Sequence, residues 1–144
     1  MTDPTVAAPN RPPRVPIEPA SAYILVVEDN IQNFVLIARL MAFLGVKQCQ
    51  WKASGWQVLE FADSMPRVDL ILMDINLPEI DGYEVTARLK QLPGLSRIPI
   101  IAVTANVMKG DREKTLAAGC DVYIQKPIDI DLLPGQIERF LKKD

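Results

Sequence analysis

At 144 residues, 49% hydrophobic and 24% charged, the chain has the size and composition of one compact domain with its own core. Its net charge is -2 with 16 dispersed basic residues, which excludes nucleic acid as a direct partner, and it has neither a secretory leader pattern nor an apolar run near the about 18 residues of a membrane span. The chain contains no histidine, so the commonest general base, a common metal ligand and any phosphohistidine are excluded.

Residues 1 to 20 carry six of the twelve prolines (Pro4, Pro9, Pro12, Pro13, Pro16, Pro19) and few large apolar side chains, so they are expected to form a disordered Pro-rich tail ahead of a domain at 21–144. A flexible extension and a proline-rich ligand for a partner are the two readings of that tail. From Tyr23, short β-branched runs alternate with helical patterns. The pattern predicts strand 23–27, helix 30–44, strand 47–52, helix 56–64, strand 69–73, helix 82–92, strand 99–103, helix 107–118, strand 122–125 and helix 129–142. Gly45, Pro66, Pro93-Gly94 and Gly119 punctuate the first four helices.

Five βα units with nearly continuous apolar strands predict an α/β fold, a doubly wound parallel sheet covered on both faces. KQCQWK is the weakest strand because polar residues outnumber apolar ones, as expected at a sheet edge. Helix 30–44 is apolar nearly all round; Leu36, Ile37, Leu40 and Leu44 suit the core, leaving Ile31, Phe34 and Ala38 either to dock a helical partner or to pack on neighbouring loops.

Four of the strands end on different chemistry: Glu28 and Asp29 after YILVV, Asp74 after LILM, Thr104 after PIIAV, and Lys126 after VYIQ. Parallel strands bring these groups to one edge, where doubly wound sheets bind their ligands. Crowded carboxylates repel one another and are the oxygen ligands that Mg2+ prefers. Asp74, followed by the turn Asn76-Leu77-Pro78, is placed to act as a nucleophile, with Lys126 and the metal neutralising phosphoryl oxygens. Singly, each has a plainer role: Asp29 could cap helix 30–44, Asp74 could cap or form a turn, Thr104 could simply favour a strand, and Lys126 could be a solvated cation. Their joint occurrence favours the site.

These stretches resemble the receiver domain of two-component response regulators. VVEDN at 26–30, LMDINLPEIDGYE at 72–84, VTANVMKGD at 103–111 and YIQKPI at 123–128 carry the resemblance, which runs from about Tyr23 to Lys142. It implies a flavodoxin-like (βα)5 sheet of order 2-1-3-4-5. It also implies Asp74 as phosphoacceptor, a Mg2+ site of Glu28, Asp29, Asp74 and the Asn76 backbone carbonyl, and Lys126 contacting the phosphoryl group. By the same resemblance Pro127 follows a cis bond, and Thr104 and Tyr123 form a switch pair. The expected donor is a histidine kinase or histidine phosphotransfer protein, and the output a downstream protein met on strand 4, helix 4, strand 5 and helix 5. The protein is then a signalling domain assisting only its own phosphorylation and dephosphorylation, not an enzyme.

Strand order 2-1-3-4-5 would put Cys49 and Cys120 at opposite edges of the sheet, so they are expected to be unpaired thiols, in keeping with a reducing, cytoplasmic setting. Lys52 replaces the small residue common in the family, and Trp51 and Trp56 add bulk beside the second loop, read as edge variation or an aromatic patch for a partner. With no output domain after residue 144, the starting Met and charged ending favour a complete short chain, against a fragment of a larger regulator or hybrid kinase. The alternative function is an aspartyl-nucleophile, Mg-dependent phosphohydrolase. Such enzymes carry a second Asp two residues after the nucleophile, where this chain has Asn76.

Overall fold

A computed structural model describes residues 16–62, 64, 67–105 and 111–142. Five parallel strands, β1 (Tyr23–Val27), β2 (Gln48–Lys52), β3 (Leu70–Asp74), β4 (Ile100–Thr104) and β5 (Val122–Gln125), lie in the order β2-β1-β3-β4-β5. Between and after them run α1 (Ile31–Leu44), α2 (Gly55–Ala62), α3 (Gly82–Lys90), α4 (Asp111–Ala118) and α5 (Leu133–Lys142).

Alternation along the strands feeds two cores. On one face Leu25, Val27, Ile71 and Met73 pack with Val58 of α2 and Val85 and Leu89 of α3. On the other, Ile24, Val26, Leu70 and Leu72 pack with Ile37 and Met41 of α1 and Leu133 and Ile137 of α5. β1 is almost wholly buried and β3 and β4 completely so, because helices cover both sides, whereas β2 at the edge exposes Gln48 and Cys49. Cys49 and Cys120 are both free thiols, one on the edge strand and the other ahead of β5.

The helix boundaries show which polar residues are consumed locally. Asn30, not Asp29, caps α1, its side chain accepting from Asn33 N at 3.0 Å, and Gly45 closes that helix at φ 92°, the left-handed region where a side chain is strained. Asp81 caps α3, accepting from Glu84 N at 3.0 Å, so Asp74 is not used as a cap either. Helix 129–142 begins at Leu133 instead, because Asp129 accepts from the backbone of Asp131 (2.8 Å) and Leu132 (3.3 Å) and holds a turn there. The predicted start of helix 107–118 falls at 106–110, outside the described residues, as do residues 1–15.

The last part of the expected tail is not loose. Ile17 N donates to Leu141 O at 2.6 Å and its side chain packs on the α1/α5 core, while Pro19–Ser21 form a 3-10 turn. Among the described residues the packed fold therefore reaches back to Ile17, an apolar anchor among the prolines. Along α1, the predicted docking residues divide. Ile31 is exposed, Ala38 is half-buried, and Phe34 is turned in against Trp51, with ring centroids 4.6 Å apart and planes 7° apart. Among the described residues, no helix is long and apolar enough to cross a membrane.

Candidate functional site

Because the strands are parallel, Glu28, Asp29, Asp74, Thr104 and Lys126 arrive at one end of the sheet. Glu28 and Asp74 are each 1% exposed, while Asp29 is open to solvent. Carboxylate oxygens of these three residues lie within 4.8 Å of one another. Lys126 Nζ stands 3.1 Å from Asp74 Oδ2 and 3.3 Å from Glu28 Oε1, and is the cation that makes two buried acids tolerable. The Lys126–Pro127 peptide bond is cis.

Burial, reinforced by the Asp74 charge, pushes the Glu28 carboxyl up to about 7, against the lowering influence of the Asn30 N–H and Lys126. At Lys126, burial disfavours the ammonium, but the Asp74 and Glu28 carboxylates outweigh it and hold its pKa above the ordinary lysine value. The two shifts report one unresolved conflict, an excess of negative charge in a dry place. A small hard cation relieves it, and three carboxylates at this separation, one of them solvent-facing, fit magnesium's preference for oxygen ligands and retained waters.

The loop after β3 is tied to the site twice. Asn76 N donates to Asp74 Oδ1 at 2.9 Å, and Asn76 Oδ1 accepts from Ala105 N at 2.8 Å and from Thr104 Oγ1 at 3.3 Å. Thr104 is 1% exposed at the end of β4. Tyr123, opposite Ala102 on β5, is half-buried, lining with Leu116, Asp121 and Val122 an open cavity of about 340 Å³.

The whole central stretch, residues 24–138, matches the response regulator receiver domain model. The chain belongs to that family. It is 42% identical over 118 residues to the polar-differentiation response regulator DivK of Brucella anthropi, covering 82% of this chain and 94% of that protein, and equally so to DivK of Brucella ovis. Among solved structures, the receiver domain of a Pseudomonas aeruginosa sensor histidine kinase, described with a magnesium ion coordinated in its active-site cleft, is 38% identical with a TM-score of 0.75. That comparison covers 83% of this chain and 97% of the other. A signal receiver domain of a Syntrophus aciditrophicus histidine kinase is 32% identical, also at TM-score 0.75, covering 83% of this chain and 89% of that one. The protein is thus a two-component receiver domain, a phosphoacceptor signalling module.

One contact at this receiver site is carried by no motif in the sequence. The indole Nε1 of Trp51 donates to Glu28 O at 2.7 Å. Its signal in the sequence was a large aromatic in an otherwise polar edge strand, which reads equally well as surface variation. Of the aromatic patch considered there, only Trp56 faces outward, at 41% exposure with the Arg88 guanidinium over its ring, whereas Lys52 lies over Phe61.

Proposed function

We propose that Asp74 is the residue phosphorylated in this receiver, and that the donor is a phosphohistidine on a histidine kinase or histidine phosphotransfer protein. An Asp74 carboxylate oxygen attacks phosphorus, the P–N bond of the donor breaks, and its electron pair returns to the imidazole nitrogen, leaving an acyl phosphate. Glu28, Asp29 and Asp74, with the Asn76 carbonyl, would hold magnesium, which neutralises charge on the phosphoryl oxygens. Lys126 needs only to exchange a carboxylate oxygen for a phosphoryl oxygen, since its ammonium already lies 3.1 Å from Asp74. That proximity is the observation that carries the reading.

Thr104 and Tyr123 then form the switch. The Thr104 hydroxyl leaves Asn76 Oδ1, 3.3 Å away, for a phosphoryl oxygen, and the half-buried Tyr123 ring moves in behind it. Carrying a 1:99 population to 99:1 takes about 5.5 kcal/mol of differential stabilisation, within reach of several charge-assisted bonds acting together. Output passes to a downstream protein in the cytoplasm. The chain assists only its own phosphorylation and dephosphorylation. A hydrolase of this type would need an acid where Asn76 stands, and the Asn76 side chain is engaged with Thr104 and Ala105.

Acetyl phosphate with Mg2+ should load one phosphoryl group per chain, and a chromogenic phosphomonoester should show no sustained turnover. Many turnovers per chain would refute the relay.

A further inference from the structure

The ladder between β1 and β2 ends at Val27 and Lys52, yet β2 still holds both backbone polar groups of the next residue, Glu28. Glu28 N donates to Lys52 O at 3.1 Å, and Glu28 O accepts from the Trp51 indole at 2.7 Å. Beyond Lys52 the chain turns toward α2, where Gln57 Oε1 takes the Ala53 N–H at 2.8 Å. A side chain thus supplies the donor that a longer ladder would have drawn from backbone.

The carbonyl concerned belongs to the peptide unit joining Glu28 to Asp29, so its orientation sets where two members of the acidic cluster emerge. The donor is itself immobilised by the stack of Trp51 on Phe34 of α1. Indole N–H can only donate, and 2.7 Å is at the short end for N–H···O, so this is a directed contact rather than incidental packing.

We infer that Trp51 is a positioning residue for the cation site, its indole fixing the Glu28–Asp29 peptide plane while Phe34 fixes the indole. The inference rests on the proposed metal role of Glu28 and Asp29. Trp51→Phe keeps a ring for the stack and deletes the donor; Phe34→Leu keeps the donor and loosens the ring, and reads the same property if Trp51→Phe does not fold.

Mn2+ binding followed by electron paramagnetic resonance should weaken about fivefold in Trp51→Phe, the worth of one neutral hydrogen bond, and by less in Phe34→Leu. In phosphorylation by acetyl phosphate, the half-saturating Mg2+ concentration should rise by the same factors with the plateau rate unchanged. In a Trp56→Phe chain, whose remaining tryptophan is Trp51, emission should respond to Mg2+ with the midpoint of binding. Unchanged affinity in both variants, with metal-insensitive Trp51 emission, would overturn the inference and leave the metal reading intact. A native chain with no cation site sensitive to Glu28→Gln would overturn both.

Discussion

Lys126 Nζ lies 3.1 Å from Asp74 Oδ2 across a sequence separation of 52 residues, joining the end of β5 to the end of β3. The same ammonium reaches Glu28, so it neutralises two buried acids before any phosphoryl group arrives. Removing it leaves uncompensated charge in a dry site. Lys126→Met should lower the stability of the metal-free protein at pH 8 by about 3 kcal/mol, measured by denaturant unfolding, with Mg2+ recovering part of the loss. It should also slow loading from acetyl phosphate. Native-like stability at pH 8 would contradict this account.

The Glu28 carboxyl, raised by burial to about 7, makes cation binding a proton-releasing event. Apparent Mg2+ affinity should rise with pH, by close to tenfold per unit well below 7, and level off above it. For the metal-free protein the sign is opposite. A pKa raised from 4.5 to about 7 contributes stability that is full below 4.5 and lost as pH climbs through 7. Calorimetric titration with Mg2+ at several pH values checks the first, and thermal unfolding in chelator the second.

Gly82 opens α3 directly beneath the site. A Cβ there would fall 2.5 Å from Asp74 O and 2.6 Å from Ile75 Cα, both backbone atoms that cannot step aside. Gly82→Ala should cost about 2 kcal/mol in unfolding experiments and displace the Asp74 end of β3, slowing phosphorylation.

Thr104 should separate chemistry from response. Thr104→Ala removes the hydroxyl that bonds Asn76 but none of the carboxylates, so Mg2+ binding should persist while the phosphorylation-induced shift in the amide spectrum of the β4–β5 side is blunted. A full shift in Thr104→Ala would remove it from the switch.

Much of this was legible before any coordinates because the information is periodic or terminal. Apolar runs of five residues ending on Asp74 or Thr104 read as buried parallel strands, and they are. Even the doubtful KQCQWK was interpretable, since its polarity is that of an edge. What escaped was set by competition between neighbours. Asp29 and Asn30 are both good caps, and only the three-dimensional course of the chain decides that Asn30 takes the helix and Asp29 stays with the cluster. Ile17, a single apolar residue among prolines, gives no periodic signal yet anchors the chain to Leu141. Phe34 looked like an outward residue by helical spacing, but Trp51 on the adjacent strand supplies a partner that spacing along one helix cannot reveal.

The central claim, that Asp74 is where the phosphoryl group lands, is tested most directly by intact-mass measurement after acetyl phosphate and Mg2+. The native chain should gain the mass of one phosphoryl group, lost on brief alkaline treatment as an acyl phosphate must be, and Asp74→Asn should gain none. An adduct of the same size and stoichiometry on Asp74→Asn would contradict the assignment.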